Sequence, residues 1–409
     1  MRNFHAFFIS LVLCGASTAG DWAQWLGPNR NGTTDEKLSA WKEAPKIAWR
    51  AEVGEGHSSP IIAQGKVFLH TKVAKKDAER VAAYDLETGK QVWEQSYARG
   101  PFSSIFGLGP RSTPCVHAKR IYTLGVTGIL VCWNAADGKQ IWKVDTQKTF
   151  SPPKLRFGVS CSPIVIDNQL LINVGAKGAS IVAFDAETGK VKWKSGDDPA
   201  SYSSPLLIGS GEQRQVLFLT QKGVVSLNPT NGKQNWKVPL VDLLNESSTT
   251  PVEIGDRLLA SSVTFGSLGI ALESKEKELT AKTLWRSKKL TCYFSTPIAI
   301  DDKHVFMVTG SIFPPPKANL HCVDVTTGKV LWTEKQVGRY HAAMLRTGDG
   351  KLLMLDDKGF IRLLEPSTKK FEELAKSKVC GATWAHPALS DGNVLLRDDK
   401  HLICLRMKK

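Results

Sequence analysis

Three positions ahead of the proline of a recurring Ser/Thr-Pro pair, or its equivalent register, stand residues whose types could hold a ligand: His57, Arg111, Ser160, Tyr202, Ser248, Phe294, Tyr340 and Trp384. Aromatic faces stack a planar molecule, and an arginine fork grips a carboxylate through two parallel hydrogen bonds. The same side chains would serve a peptide. His57, Arg111, Tyr202, Tyr340 and Trp384 carry most of that chemistry and form the candidate ligand- or partner-binding ring. The plainer alternative is that mixed polar and aromatic residues simply line a solvent channel.

Other chemistry is sparse. There is no Gly-x-Ser-x-Gly nucleophile turn, no His-Glu-x-x-His and no phosphate-binding Gly-x-x-x-x-Gly-Lys-Ser/Thr. The histidines never fall in a metal-ligand spacing, and no Cys-x-x-Cys pair occurs. Cys115, Cys132, Cys161, Cys292, Cys322, Cys380 and Cys404 are odd in number, so disulfides do not frame the fold and most read as small buried hydrophobes. Asp242, Asn245 and Glu246 come nearest to a hard-cation ligand set, and are read as a solvated loop. No catalytic or metal-binding residue is assigned.

A repeat organises the chain. Residues 81–93 (VAAYDLETGKQVW), 130–142 (LVCWNAADGKQIW), 181–193 (IVAFDAETGKVKW) and 320–332 (LHCVDVTTGKVLW) align, and 224–236 (VVSLNPTNGKQNW) keeps their spacing. Each reads as strand, tight turn, strand: Asp or Asn opens the turn through its own downstream backbone, and Gly takes the left-handed conformation that closes it. The tryptophans stand at 49, 93, 142, 193, 236, 285 and 332, a spacing of 43–51 residues that fits four short strands and their turns. The Pro markers at 60, 114, 163, 205, 251, 297 and 387, with 340–343 filling the missing register, predict eight first strands.

These counts predict an all-β, eight-bladed propeller of four-stranded antiparallel blades over residues 45–409. Trp49 has no strands before it in its own repeat, and the last repeat stops after its third strand at 401–406. Residues 46–50 should therefore complete the last blade and close the ring, removing exposed sheet edges. The turn at 273–278 and the segment 366–371 depart from the repeat. In such a blade the loops entering each first strand share a face with those joining strands two and three. That face carries the unusual loops 72–80, 99–110, 146–157 and 312–317, which mix Phe, Leu and Pro with Arg and Lys. Exposed apolar side chains rimmed by cations suit a peptide or polyanion docking surface, unless the phenylalanines fold back onto neighbouring loops.

Residues 1–19 read as a signal peptide: Arg2, a short apolar run at 6–14, then small residues up to Ala19. Cys14 follows a bulky Leu13, which argues against a lipid anchor there. Residues 20–44 form a leader. No later stretch reaches the roughly 18 apolar residues of a membrane-spanning helix. The expected location is outside the cytoplasm, periplasmic or extracellular, and the expected state is a monomer. A net charge of +15 favours anionic partners such as lipid surfaces or acidic polymers, although lysines also protect sheet edges.

The pattern Ala-x-Asp-x-x-Thr-Gly-Lys-x-x-Trp at 83–93 and 183–193 resembles the PQQ-like (quinoprotein-type) propeller repeat, and the resemblance covers about residues 45–409. The opening DWAQWLGPNRNG at 21–32 resembles the leader of such exported bacterial propellers. The resemblance implies one of two classes. Quinone-dependent alcohol and sugar dehydrogenases bind PQQ with calcium. Cofactor-free scaffolds, such as the outer-membrane protein assembly factor B type, bind protein partners in the cell envelope. The absence of adjacent cysteines, of long inserts and of an Asp/Asn/Glu cluster points to the scaffold class, with no cofactor. The alternative is a PQQ-dependent dehydrogenase working at the ring.

Overall fold

The computed structural model describes residues 20–275, 278–310 and 316–407; the expected signal peptide at 1–19, with Cys14, and most of the 312–317 loop lie outside them. Eight four-stranded sheets follow one another in chain order. Blade one comprises Ile61–Ala63, Lys66–Lys72, Ala78–Asp85 and Gln91–Ala98. Blade eight takes Ala388–Ser390, Asn393–Arg397 and His401–Arg406 from the C-terminal end and Lys46–Glu52 from the other end. Lys46–Glu52 runs antiparallel to His401–Arg406 with Trp49 opposite Cys404, so the expected ring closure is present.

The repeat's Trp and Gly turn out to be two halves of one contact. A bulge immediately precedes Trp49, Trp93, Trp142, Trp193, Trp236, Trp285 and Trp332 on their outer strands. A bulge re-aims the side chain after it, and here it lays the indole on the next blade's turn. A Cβ on Gly89 would stand 2.5 Å from Trp49, one on Gly138 2.5 Å from Trp93, and one on Gly189 2.7 Å from Trp142. At these three contacts the indole N–H donates to that turn, Trp49 to Leu86 O at 2.8 Å, Trp93 to Ala135 O at 3.2 Å and Trp142 to Ala186 O at 3.1 Å, whereas Trp193 packs on its Gly232 turn with its N–H buried and unpartnered. Only glycine lets the ring lie flat there, because any side chain would occupy the indole's place.

Where the Gly turn is missing, the indole N–H finds another acceptor. Blade five lacks the Gly turn, and Trp236 bonds Gln215 Oε1 of its own blade instead. Trp332 meets the atypical 366–371 segment and donates to Ser367 O at 2.7 Å. Blade eight has no connection between its third and fourth strands, since those come from opposite chain ends, and blade seven has Ala375 where the others have Trp. Trp41 of the leader reaches that blade and donates to Ser377 Oγ at 2.9 Å.

The Ser/Thr before four of the Pro markers has its own physical role. Its amide donates to the hydroxyl of the equivalent residue in the next blade: Ser59 to Thr113 at 3.1 Å, Thr113 to Ser162 at 2.9 Å, Ser162 to Ser204 at 2.9 Å and Thr250 to Thr296 at 3.2 Å. His386 returns to Ser59 Oγ at 2.9 Å and closes the girdle across the chain ends. These buried amides sit at the innermost, unpaired edge of each blade, where water cannot serve them.

The leader plugs the channel inside this girdle. Trp22 and Ile62 exchange backbone bonds, Val116 N donates to Ala23 O, and Arg346 N donates to Gly32 O. The segment therefore crosses from blades one and two to blade seven. Arg30, 2% exposed, points inward and donates to the carbonyls of Pro205 (2.8 Å), Pro163 (3.0 Å) and Ser162 (3.0 Å). Trp25 Nε1 donates to Thr250 Oγ1 at 2.9 Å, and its ring packs edge-on to His386.

Candidate functional site

The leader lies across one end of the channel, and a cavity opens on the face of the long loops. Its mouth encloses about 150 Å³, and His57, Arg111, Ser160, Tyr202, Ser248, Phe294 and Trp384 all line it. Tyr340 does not line the cavity; its ring backs onto Trp384 at 5.8 Å. The spacing rule therefore places seven of its eight positions on one cavity, because each first strand begins at the same height on the axis. Trp25, Phe106, Phe157, Glu246 and Tyr293 also line it and lie outside the repeat register.

Phe106 arrives on the 99–110 loop, and a set of latches explains why that loop crosses the mouth. His57 Nε2 lies 2.7 Å from Phe106 O, and Leu108 N donates to the Glu55 carboxylate. Arg99 donates to Leu108 O at 3.0 Å and Gly100 O at 3.0 Å. Arg111 donates to Gly109 O (3.0 Å), Gly107 O (3.1 Å), Phe106 O (3.2 Å) and Ser104 Oγ (3.2 Å). The Phe106 ring then lies 5.2 Å from Phe157 and 5.9 Å from Trp384, bridging the opening. Arg111, expected to grip a carboxylate, turns its donors toward this loop. Phe106 and Phe157 fold back into the mouth, leaving Ile105 as the exposed apolar side chain at the loop tip, 84% accessible.

Beneath the loop lies a buried polar group. Glu79 accepts from Tyr97 Oη at 2.5 Å and Val126 N at 3.0 Å, with Arg99 Nε at 3.7 Å and His70 at 3.5 Å. Burial raises the Glu79 pKa. Burial also pushes His57 down to about 4, so its imidazole is neutral at physiological pH and the bond to Phe106 O uses its Nε2–H tautomer. Burial lowers Arg111 to about 10, and it keeps its charge at neutral pH.

The 240–251 loop departs from expectation. Asp242 is 1% and Glu246 7% exposed, so this is a buried pair of carboxylates rather than a solvated loop. Asp242 accepts from Leu244 N at 3.0 Å and from Thr264 Oγ1, while its Oδ2 is buried without a hydrogen-bond partner. Glu246 accepts from the Tyr293 hydroxyl, whose ring stacks 3.7 Å from Phe294. Their burial follows from the tertiary course of the loop, which no local pattern in 240–251 announces. Leu243, between them, is 83% exposed.

A calcium-held quinone would need six to eight oxygen ligands around the metal. Among the described residues, Glu246 is the one carboxylate lining the cavity. Among the described residues no cluster of three or more His, Cys, Asp or Glu could hold a metal ion. The seven described cysteines are all buried as free thiols and none is adjacent to another in sequence. The donor set does not fit that group. Among the described residues, no helix is long and apolar enough to cross a membrane.

Comparison with known proteins agrees with this architecture. The outer membrane protein assembly factor BamB of Burkholderia pseudomallei (strain K96243) is 24% identical over 364 residues, covering 85% of this chain and 84% of that protein. The crystal structure of BamB from Moraxella catarrhalis superposes with a TM-score of 0.60 at 15% identity, over 88% of this chain and 98% of that one. Quinohemoprotein alcohol dehydrogenase from Comamonas testosteroni gives 0.64 at 14% identity, over 96% and 82%. Both superpositions show a shared fold. The family model described as outer membrane protein assembly factor BamB matches residues 31–101 and 77–334, which is most of the propeller. The chain therefore belongs to that family of PQQ-like repeat propellers.

Proposed function

We propose that this chain is an exported, non-enzymatic propeller that binds protein partners in the cell envelope, in the manner its BamB-type relatives' name describes: outer-membrane protein assembly. The observation that carries the reading is the family match over most of the propeller, joined to a relative aligned over 85% of the chain. The mouth face supports it: Ile105 and Leu243, the two most exposed large apolar side chains among the described residues, stand on loops of that face. Apolar side chains on anchored loops bind with little ordering cost. A photoreactive side chain placed at Ile105 or at Leu243, in the protein expressed in its own envelope, should crosslink to outer-membrane assembly proteins. The reading fails if Val92, on the outer rim, crosslinks to the same products in equal yield.

The dehydrogenase alternative is favoured by one observation, the superposition on a quinohemoprotein enzyme. Purified protein mixed with micromolar PQQ, with and without calcium, decides it. Tight binding with dye-linked oxidation of alcohols or sugars would replace the scaffold reading.

A further inference from the structure

We propose that the mouth cavity is a cation pocket: it takes the head of a lysine or arginine side chain from an extended segment of the protein partner. This rests on the binding reading above and adds the chemistry of what is bound. Glu246 lines the cavity, is nine-tenths buried, and forms no ion pair among the described residues; the Tyr293 hydroxyl is its hydrogen-bond donor. Asp242, on the same loop, is buried with Oδ2 unpartnered. Carboxylates buried without a counter-ion are unfavourable until a cation reaches them.

The rest of the cavity suits that cation. Tyr293 and Phe294 stack as a pair, Phe294 meets Trp384 edge-on at 4.6 Å, and Tyr202 lies 5.8 Å from Phe157. Aromatic faces attract cations, most strongly where water is excluded. About 150 Å³ admits one long side chain rather than a folded element. Arg111, which also lines the cavity, directs four hydrogen bonds at the 99–110 loop and forms no ion pair with Glu246. The adjoining loops reinforce the sign. Residues 196–205 and 240–251 hold Asp197, Asp198, Asp242 and Glu246 with no lysine or arginine, in a chain whose net charge is +15; Asp198 is paired with Lys237 at 2.6 Å, and on the next loop Arg156 stacks over Phe157, so the carboxylates at the mouth itself are Asp242 and Glu246. Leu243 and Leu244, 83% and 44% exposed, offer an apolar ledge for the residues flanking the bound cation.

Calorimetric titration of the mature protein with four capped peptides tests this, each Ac-Gly-Leu-X-Leu-Gly-amide with X as Lys, Arg, norleucine or Glu. The Lys and Arg peptides should bind at least tenfold more tightly than the norleucine peptide, and the Glu peptide most weakly. Glu246→Gln should bring Lys and norleucine within twofold. Tyr293→Phe keeps the ring and removes the donor, so it should preserve or enlarge the Lys preference. Equal binding of Lys and norleucine by the wild type overturns the pocket, as does tightest binding of the Glu peptide. So does an undiminished preference in a folded Glu246→Gln protein, or its loss in Tyr293→Phe. Envelope crosslinking without a Lys preference removes the pocket and leaves the binding reading. A Lys preference without protein crosslinks does the reverse.

Discussion

Gly89 and Gly65 lie in the same blade with nearly the same left-handed backbone, φ +69° and +70°, but in different surroundings. A Cβ at Gly65 meets nothing within 4 Å, whereas one at Gly89 would stand 2.5 Å from the Trp49 ring. Gly65→Ala should therefore cost the backbone strain alone, about 1–2 kcal/mol. Gly89→Ala carries that strain and also dislodges an indole that is 8% exposed and bonded to Leu86 O at 2.8 Å. Losing the hydrogen bond adds about 1 kcal/mol, and partial exposure of the ring adds about 1–2 kcal/mol. The expected difference between the two variants is then about 2–3 kcal/mol. Because Trp49 lies on Lys46–Glu52, which closes the ring, the loss should localise there. Urea unfolding followed by far-UV circular dichroism gives the two stabilities. Amide exchange should show residues 46–52 opening first in Gly89→Ala. Equal destabilisation within about 0.5 kcal/mol, the usual spread for independent surface sites, would refute the Trp–Gly latch as the closing element.

Three further outcomes are expected. Arg30→Ala removes a buried cation bonded to carbonyls of two blades and should cost about 3 kcal/mol, read from the same urea curves, with freer proteolysis of the leader. Ser162→Ala leaves the buried Thr113 amide without its acceptor and should cost about 1–3 kcal/mol, whereas Ser160→Ala, at the mouth, should change stability by less than about 0.5 kcal/mol. His57 and His341 are held near pKa 4 by burial, and His386 is also held well below the ordinary value. The unfolded chain binds protons that the fold refuses between pH 6.5 and about 4. Stability should be full above pH 6.5 and fall on acidification, by up to ~1.4 kcal/mol per pH unit for each histidine. Urea midpoints from pH 7.5 to 4.5 check this, and His341→Gln should flatten the slope.

The blade count and the inner positions were legible because they repeat. One strand–turn–strand unit, copied at a near-constant period, puts residues of equal register at equal depth, so His57, Arg111, Tyr202 and Trp384 could be placed on one cavity. Local chemistry went equally far: Asp85 and Asp185 accept from Thr88 and Thr188 in the turns whose sequences announced them. The pairing of repeat Trp with the next blade's Gly was beyond reach of spacing alone, since the two halves are about 40 residues apart and depend on a bulge.

What the sequence determined by itself was therefore the scaffold: eight blades, the closing N-terminal strand, and which first-strand residues face the axis. Periodicity carries that information because every blade solves the same packing problem. What only the tertiary structure decided was the character of the mouth. The leader seals the far end through Arg30, the 99–110 loop brings Phe106 across the opening, and Asp242 and Glu246 go under rather than out. Each of these occurs once, joins segments far apart in the chain, and depends on where neighbouring loops leave space, so no repeat or local preference encodes it.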